Sequence, residues 1–267
     1  MKIFVTVAAT LAACAQTISA DVSAGPTWGY HTRDANMIDS ANWASEWDSC
    51  GGVRQSPIDI AISGMCGKGE AVPLKFGGSC STYNLAEPHE PLEVDVVGGD
   101  CTVSVKDATY NMLQFHLHAP SEHTINGKAL DASIHFVHAS EDGDLLVVGI
   151  LLEISAKSDP WLAPLLDALE TVSSASQTDA LTVELESYSK LIVDASQNSS
   201  VYNYPGSLTT PSCNETVDWW VVEKAVKISS IDFGRLHQDL VEYEITDNGN
   251  NARPAQPLNG RTVTRYN

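Results

Sequence analysis

Hydrophobic and polar residues alternate along most of the chain, which is the pattern of strands that bury one face and expose the other. Clusters of glycine, proline, asparagine and aspartate separate the alternating stretches, as turns do between neighbouring strands. The pattern predicts a large, twisted and mostly antiparallel sheet. The alternation is clearest at residues 92–97, 102–105, 112–118, 133–138, 145–152 and 219–222.

Helical periodicity is confined to two places. Ser158 and Asp159 supply cap residues and Pro160 suits a first turn, and apolar residues then recur at helical spacing. A weaker helical pattern runs over residues 181–192. No linker, repeat or block of charge divides the rest of the chain. We therefore expect a single domain over residues 21–267, mainly β (α+β), with a few peripheral helices.

Composition places the chain among acidic globular proteins. Its 267 residues include 34 Asp and Glu against 15 Lys and Arg, which gives a formal net charge of −19. An excess of this size argues against a nucleic-acid partner, because phosphate binding needs clustered basic side chains. The longest apolar run, residues 145–152, has the length of a strand and not of a membrane span. The acidic residues are scattered, which favours a solvated surface over a mineral-binding block.

The first 20 residues have the pattern of a secretory signal peptide. A basic residue at position 2 precedes an apolar run that is too short to span a membrane comfortably. We expect cleavage after Ala20 or, alternatively, after Ala24, and hence a secreted, extracellular protein; a periplasmic or cell-surface location is the related alternative. Two further alternatives remain. One is a lipid anchor at Cys14, which follows a Leu-Ala-Ala triplet, and the other is a buried amino-terminal strand.

Cysteines and glycan acceptors matter once export is expected, because cysteines tend to pair in an oxidising compartment. An odd number of cysteines follows the signal peptide, which allows at most two internal disulfides and leaves one thiol free or paired outside the chain. Asn198 and Asn214 begin Asn-x-Ser/Thr triplets, which accept glycans when a eukaryotic cell secretes the protein. The five cysteines are Cys50, Cys66, Cys80, Cys101 and Cys213.

Histidines at alternating positions indicate chemistry most strongly. His116 and His118 lie two residues apart in one predicted strand, so that both imidazoles point to the same face. In a second predicted strand, His135 shares its face with Ser133 and Val137. If the two strands are neighbours, three neutral imidazoles meet and leave a fourth position for water. That arrangement is the ligand set of a catalytic zinc.

The alternative for these histidines is that they only satisfy buried hydrogen bonds, and a His-x-His pair taken alone is weak evidence for a metal. His123 and His138 fit that alternative better. His138 falls on the opposite face of its strand from His135.

Seven segments in order along the chain carry a wider pattern. They are Trp-Gly-Tyr (28–30), Gln-Ser-Pro-Ile-Asp-Ile (55–60), Gln-Phe-His-Leu-His (114–118), Ser-Glu-His-Thr (121–124), His-Phe-Val-His (135–138), Tyr-Pro-Gly-Ser-Leu-Thr-Thr-Pro (204–211) and Arg-Pro-Ala-Gln-Pro-Leu (253–258). Together they resemble the alpha-class carbonic anhydrases of the secreted type, from about Trp28 to Val263. The resemblance implies a zinc ion and reversible hydration of carbon dioxide to bicarbonate and a proton. It also implies a central sheet of about ten strands, near the upper size of open twisted sheets.

Carried over position by position, the resemblance assigns the zinc ligands to His116, His118 and His135. Zinc lowers the pKa of its water from 15.7 to about 7, so that hydroxide forms near neutral pH. Thr209 matches the residue that accepts a hydrogen bond from that hydroxide. Its own hydroxyl would donate a hydrogen bond to Glu122, because a carboxylate can only accept hydrogen bonds.

An apolar pocket for the uncharged substrate is implied at Val137, Val147, Leu208 and Trp219, and Thr210 would lie beside the departing bicarbonate. Ordinary core packing is the alternative for the four apolar residues. Inorganic anions and sulfonamide-type inhibitors are expected to bind at the same zinc.

Partners of the ligands follow from the same resemblance. Gln114 would hold His116, and the backbone carbonyl of Asn251 would hold His118, which fixes the tautomer of each imidazole. Where members usually carry a glutamate two residues before the third histidine, this chain has Ser133. Serine is shorter and uncharged, and so we expect zinc to leave about 10-fold faster than in relatives that carry the glutamate.

Three further roles come from the resemblance. Cys50 and Cys213 match the disulfide of secreted members. His89, which has a proline on either side in Pro-His-Glu-Pro, is the candidate for a histidine that shuttles protons at the cavity mouth. Tyr30 matches a residue that binds a water molecule in the cavity.

Other functions remain open on the same fold. A relative that has lost zinc would be a catalytically silent binding or matrix protein, and a secreted zinc esterase would use the same hydroxide on ester carbonyls. The presence of all three histidines, together with Glu122 and Thr209, favours the hydration of carbon dioxide over both. The oligomeric state is left open.

Overall fold

The computed structural model describes residues 27–30, 36–62, 69–85, 92–174 and 181–267. The predicted signal peptide with its two cleavage sites, Cys14, Cys66 and His89 lie outside these residues. The helices within them are α1 (Leu162–Ser174), α2 (Tyr188–Ser196) and α3 (Ser230–Val241), with short 3-10 turns at Trp43–Ser45 and Asp48–Gly51. The strands are β1 (Thr27–Trp28), β2 (Met37–Ile38), β3 (Asp59–Ile60), β4 (Lys75–Gly77), β5 (Thr82–Leu85), β6 (Val94–Gly98), β7 (Thr102–Val105), β8 (Ala108–His118), β9 (Thr124–Ile125), β10 (Ala132–Ala139), β11 (Leu145–Ser155), β12 (Leu181–Glu184), β13 (Val201–Gly206), β14 (Val217–Ser229) and β15 (Thr264–Tyr266).

One eleven-stranded sheet organises the described part of the chain, in the order β12-β5-β6-β8-β10-β11-β14-β13-β15, with β7 beside β8 and β4 beside β7. Its pairs are antiparallel except β11 with β14, which run parallel at the centre. The prediction of a large and mostly antiparallel sheet with few helices is confirmed. All six predicted strands form; the one predicted at residues 219–222 is much longer than predicted, since β14 runs from Val217 to Ser229.

The two faces of the central strands bury different residues. On one face, Phe115 and Phe136 pack against Trp161 at ring distances of 5.5 and 5.9 Å, so that α1 lies over that face. On the other face, Val137 joins a smaller cluster with Val147. Side chains alternate along a strand, and so His135, two residues from Val137, lies on the face that α1 does not cover. His116 is its cross-strand partner on β8 and lies on the same face, as does His118 two residues further along.

The helix predicted over residues 181–192 is wrong in its first half. Leu181–Glu184 is strand β12, which pairs antiparallel with β5, and α2 begins only at Tyr188. Leu181 and Leu185 stand at a spacing that suits a helix, but Val183 between them is buried on the sheet as well. The backbone partner offered by β5 decides between the two patterns.

Helix α3 was not predicted, although its start carries a recognisable signal. The Ser229 hydroxyl accepts a hydrogen bond from the backbone N–H of Asp232 at 3.1 Å, as in a serine cap with an acidic residue three positions later. Gly234, a poor helix former, interrupts the periodicity inside the helix.

Two disulfides staple the described residues. Cys50 is joined to Cys213, as the resemblance implied, with 4.9 Å between their Cα atoms. Cys80 is joined to Cys101, a pairing that the sequence had left open. Of the residues that the structure describes, none belongs to a helix with the length and hydropathy needed to cross a membrane.

Candidate metal centre

Two neighbouring strands bring three histidines together. The register of β8 and β10 sets His135 directly opposite His116, and Ser133 opposite His118. The three imidazole rings lie with their centroids 4.6 to 5.2 Å apart. One nitrogen from each ring lies within 4.8 Å of the others, and no second group of this kind occurs in the described part of the chain. The two histidine strands are neighbours, which was the condition for the three-imidazole site expected from the sequence.

Each histidine of β8 is held by a carbonyl oxygen on its far side. His116 Nδ1 lies 2.8 Å from the side-chain Oε1 of Gln114, and His118 Nδ1 lies 2.7 Å from the backbone oxygen of Asn251. A carbonyl oxygen can only accept, and so each Nδ1 must carry the hydrogen. The lone pair of each ring is then on Nε2, which is the form that binds a metal.

Asn251 supports the strand as well as the ring. Its side-chain amide donates to the carbonyl of Leu117 and accepts from the N–H of Ala119, both at 2.8 Å. These contacts clamp the backbone on both sides of His118. Sequence reasoning identified only the backbone oxygen of Asn251, because nothing in the local pattern around residue 251 shows which distant strand its amide meets.

His135 lacks such a partner. Neither of its ring nitrogens, and not the Ser133 hydroxyl, makes a hydrogen bond within the described residues, although both side chains are buried. His135 Nδ1 lies 3.8 Å from Glu122 Oε2. The Ser133 hydroxyl therefore does not hold the third imidazole directly.

The charge state of the cluster fits a metal. Burial, together with the neighbouring His118, lowers the pKa of His116 well below its usual value, and burial and the neighbouring histidines do the same for His135. Metal coordination needs neutral imidazoles. Buried His118 Nε2 and His135 Nδ1 also have no hydrogen-bond partner in the described residues. Three imidazoles that converge, with unpartnered nitrogens on His118 and His135 among the described residues, fit zinc with an open fourth position.

Glu122 lies beside the imidazoles and is almost completely buried. Its Oε1 accepts a hydrogen bond of 2.9 Å from the backbone N–H of Arg253. Its Oε2 lies 3.5 Å from His118 Nε2 and has no hydrogen-bond partner in the described residues. The structure thus does not show the bond between Glu122 and Thr209, but it leaves Oε2 as the free acceptor.

The turn that carries Thr209 (residues 207–213) is held from several sides. Trp219 Nε1 donates to the carbonyl of Ser207 at 2.9 Å, and the N–H of Cys213 donates to the carbonyl of Thr210 at 2.7 Å. The Cys50–Cys213 disulfide fixes the end of the turn. Thr209 itself is buried.

A network behind the turn explains the buried His123. Its Nε2 lies 2.6 Å from the hydroxyl of Tyr204, which lies 2.9 Å from the hydroxyl of Ser56. A side chain at Gly206 would collide with that serine, since an added Cβ would lie 2.2 Å from Ser56 Oγ. His138 is likewise bonded to ordinary partners, as predicted for both histidines.

The apolar residues predicted for the substrate pocket lie in one cluster. Val137, Val147 and Trp219 are buried there, and Leu208 packs against them half-buried. The Trp219 ring lies 4.8 Å from the ring of His135, measured between centroids. The cluster therefore lies next to the histidines and gives them an apolar neighbouring surface.

The remaining predicted residues are placed as follows. Tyr30 is buried in an aromatic cluster with Trp28 and Trp43, at ring distances of 5.7 and 5.8 Å. Asn198 and Asn214, the candidate glycan acceptors, are exposed. Their predicted roles stay predictions, as does that of His89.

Comparison with known families agrees with this site. A family model described as eukaryotic-type carbonic anhydrase matches residues 38–267. The match covers most of the chain, and so the chain belongs to the eukaryotic-type (alpha) carbonic anhydrase family. The prediction made from the seven sequence segments is confirmed.

Similar proteins carry two kinds of name. Dioscorin DB3S of Dioscorea polystachya is 32% identical over 234 residues, which cover 86% of this chain and 84% of the relative. Alpha carbonic anhydrase 7 of Arabidopsis thaliana is 30% identical over 223 residues, which cover 83% of this chain and 78% of the relative. The family is thus shared with proteins named as enzymes and with proteins named otherwise.

Solved structures share the fold. A crystal structure of dioscorin complexed with ascorbate has a TM-score of 0.77 at 30% identity and covers 90% of this chain and 97% of its own. The alpha-carbonic anhydrase of Thermovibrio ammonificans in complex with the inhibitor sulfanilamide has a TM-score of 0.73 at 29% identity and covers 90% and 99%. The mainly β fold with its large mixed sheet is that of the alpha carbonic anhydrases.

Proposed function

We propose that this protein is a zinc-dependent carbonic anhydrase (carbonate dehydratase), which catalyses the reversible hydration of carbon dioxide to bicarbonate and a proton. The observation that carries the proposal is the group of three imidazoles, two buried and one half-buried, whose nitrogens lie within 4.8 Å of one another. His116, His118 and His135 would hold zinc. When bound, zinc supplies a Lewis acid that brings the pKa of a water ligand to about 7, which yields a nucleophile at neutral pH.

Glu122 and Thr209 would orient the nucleophile. Glu122 Oε1 is taken by the N–H of Arg253, and Oε2 remains as the acceptor for a nearby hydroxyl. Because a carboxylate can only accept, the Thr209 hydroxyl must donate to it and can then only accept a hydrogen bond from its other neighbour. That direction of bonding would aim a lone pair of the nucleophile at the substrate carbon.

The wall beside the histidines suits carbon dioxide, which has no charge and little capacity for hydrogen bonds. Val137, Val147, Leu208 and Trp219 would exclude water and leave the substrate near the metal. Thr210, next in the chain, would face the bicarbonate that leaves. Protons would leave by way of cavity water held by Tyr30, with His89 as the candidate shuttle.

The setting of the enzyme is part of the proposal. Two disulfides favour an oxidising compartment, in agreement with a signal peptide over residues 1–20 and with secretion. Glycans at Asn198 and Asn214 would then be carried on exposed side chains. Inorganic anions and sulfonamides would compete at the metal, since a relative of similar fold has been solved with sulfanilamide.

The test is zinc content and stopped-flow hydration measured on one preparation. We expect one zinc per chain, its loss in His135→Gln, and its retention in the matched control His237→Gln, which alters a histidine on α3. Thr209→Val should keep zinc and lose about 100-fold in hydration rate, the usual cost of one hydrogen bond at a reacting oxygen. A parent protein without zinc, or with zinc and no hydration, would contradict the proposal.

A second candidate, a binding protein without hydration activity, is favoured by the similarity to dioscorin DB3S and by the dioscorin structure that holds ascorbate. The same assay separates the two functions. Ester hydrolysis measured beside it tests the esterase alternative, which an ester turned over faster than carbon dioxide would support.

A further inference from the structure

The hydrogen bonds behind His116 continue one residue further than the family resemblance assigned. Gln114 Oε1 lies 2.8 Å from His116 Nδ1, and Gln114 Nε2 donates to Glu93 Oε2 at 3.1 Å. Glu93 is half-buried and immediately precedes β6, whose first residues pair with β8 at Val94↔Phe115 and Asp95↔Gln114. The sheet register thus brings a carboxylate to the far end of the amide that supports a candidate ligand.

The chemistry of the three groups allows only one direction along this chain of bonds. A glutamine side chain has a donor end and an acceptor end, and it can be turned to present either end to a neighbour. A carboxylate accepts only, and so Glu93 draws the NH₂ end of Gln114 to itself. The oxygen of Gln114 must then face His116, which places the hydrogen on Nδ1 and the lone pair on Nε2.

We propose that Glu93 is a positioning residue that holds Gln114 in one orientation and thereby keeps His116 in its metal-binding tautomer. Without the carboxylate, the amide could turn its NH₂ end to His116. That orientation favours the tautomer with hydrogen on Nε2, and a protonated Nε2 has no lone pair to offer the metal. The inference rests on the proposed function, since it assigns His116 to zinc.

The three histidines differ in their hydrogen-bond partners, and this difference is why the orientation of Gln114 affects metal binding. His118 is held by a backbone oxygen, which cannot turn over, and His135 has no hydrogen-bond partner in the described residues. His116 is the one whose partner has two possible orientations. In this chain a carboxylate, that of Glu93, supports the first histidine through Gln114. The third histidine has Ser133 at the position where the family resemblance implies a glutamate.

The experiment compares Glu93→Ala and Glu93→Gln with the matched control Asp95→Asn. Asp95 is exposed two residues further along the same segment and opposite Gln114, so its variant removes a nearby charge without touching the bond to Gln114. Zinc dissociation is followed with a chelator in excess. In zinc-free protein, the tautomer of His116 is read from ¹⁵N chemical shifts of labelled histidine, and thermal unfolding checks the fold.

We expect Glu93→Ala to release zinc about 10-fold faster, at the lower end of the range for partners beyond the ligands. Glu93→Gln should show a smaller change, since an amide can still offer an oxygen, and Asp95→Asn should match the parent. His116 should lose its pure Nδ1–H form only in the Glu93 variants, at an unchanged unfolding temperature.

The inference would be overturned if zinc left Glu93→Ala no faster than the parent, or if Asp95→Asn accelerated zinc release as much as Glu93→Ala does. In either case a parent protein that holds zinc and is active would leave the proposed function standing. The same holds if His116 keeps the Nδ1–H form in Glu93→Ala. A parent that binds no zinc would overturn both.

Discussion

The Cys50–Cys213 disulfide closes a loop of 163 residues, whereas Cys80–Cys101 closes one of 21. A disulfide stabilises a protein mainly by restricting its unfolded chain, and in the chain-entropy model the two loops are worth about 5 and about 3 kcal/mol at 25 °C. All four cysteines are buried, so replacing either pair with alanine leaves similar small cavities. The unfolding free energies of the two double variants should therefore differ by about 2 kcal/mol.

The assay is guanidinium unfolding of the parent and of both double alanine variants, extrapolated to water. Opening the longer loop also frees a larger part of the unfolded chain, and so the denaturant slope should rise more for the Cys50 and Cys213 pair. Hydration should fall only in that variant, because its bridge ends the turn that carries Thr209 and the N–H of Cys213 holds the Thr210 carbonyl at 2.7 Å.

Equal losses of stability, or a larger loss from the 21-residue loop, would refute this reasoning about the unfolded chain. A drop in hydration rate that is the same for both variants would show that the bridge does not act through the turn.

Two further predictions concern buried polar groups. Ser133→Glu should slow zinc release about 10-fold relative to the parent, because it offers His135 an acceptor that the described residues do not supply. Ser133→Ala, which offers no acceptor, is the control, and equal chelator-driven release rates in all three proteins would contradict this prediction. Burial lowers the pKa of His138 from 6.5 to about 4, so its contribution to stability is complete above pH 6.5 and declines as the pH falls toward 4. When the free energy of unfolding is measured in urea at pH 7 and pH 5, it should fall less with decreasing pH in His138→Gln than in the parent, by up to about 1.4 kcal/mol per pH unit. The same pH dependence in both proteins would contradict this prediction.

Strand parity explains why so much of the site could be predicted. On β10, Ile134 and Phe136 enter the core beneath α1 while His135 faces the other way, and a shift by one residue would exchange the two sets. The same argument failed at residues 181–184, where the spacing suits a helix and a strand equally. There a distant partner, β5, supplies the deciding hydrogen bonds.

Contacts between distant parts of the chain set the limit of such reasoning. The amide clamp of Asn251, the N–H of Arg253 on Glu122 and the bond from Gln114 to Glu93 join residues whose neighbours in sequence give no hint of their partners. The Ser133 hydroxyl could be recognised as a departure from the family, but only the folded chain shows that it has no hydrogen-bond partner among the described residues.

Asn251 and Arg253 reach back across 133 and 131 residues to support His118 and Glu122. During synthesis these supports are translated long after the histidine strands, and chains fold from the amino end as they emerge. In a nascent chain the imidazoles would thus be present before the residues that orient them, and would bind a metal ion more weakly at that stage. If the chain holds zinc as proposed, firm loading would wait for the last part of the chain to be translated, and a product truncated before residue 251 would bind zinc more weakly because His118 would lack its partner.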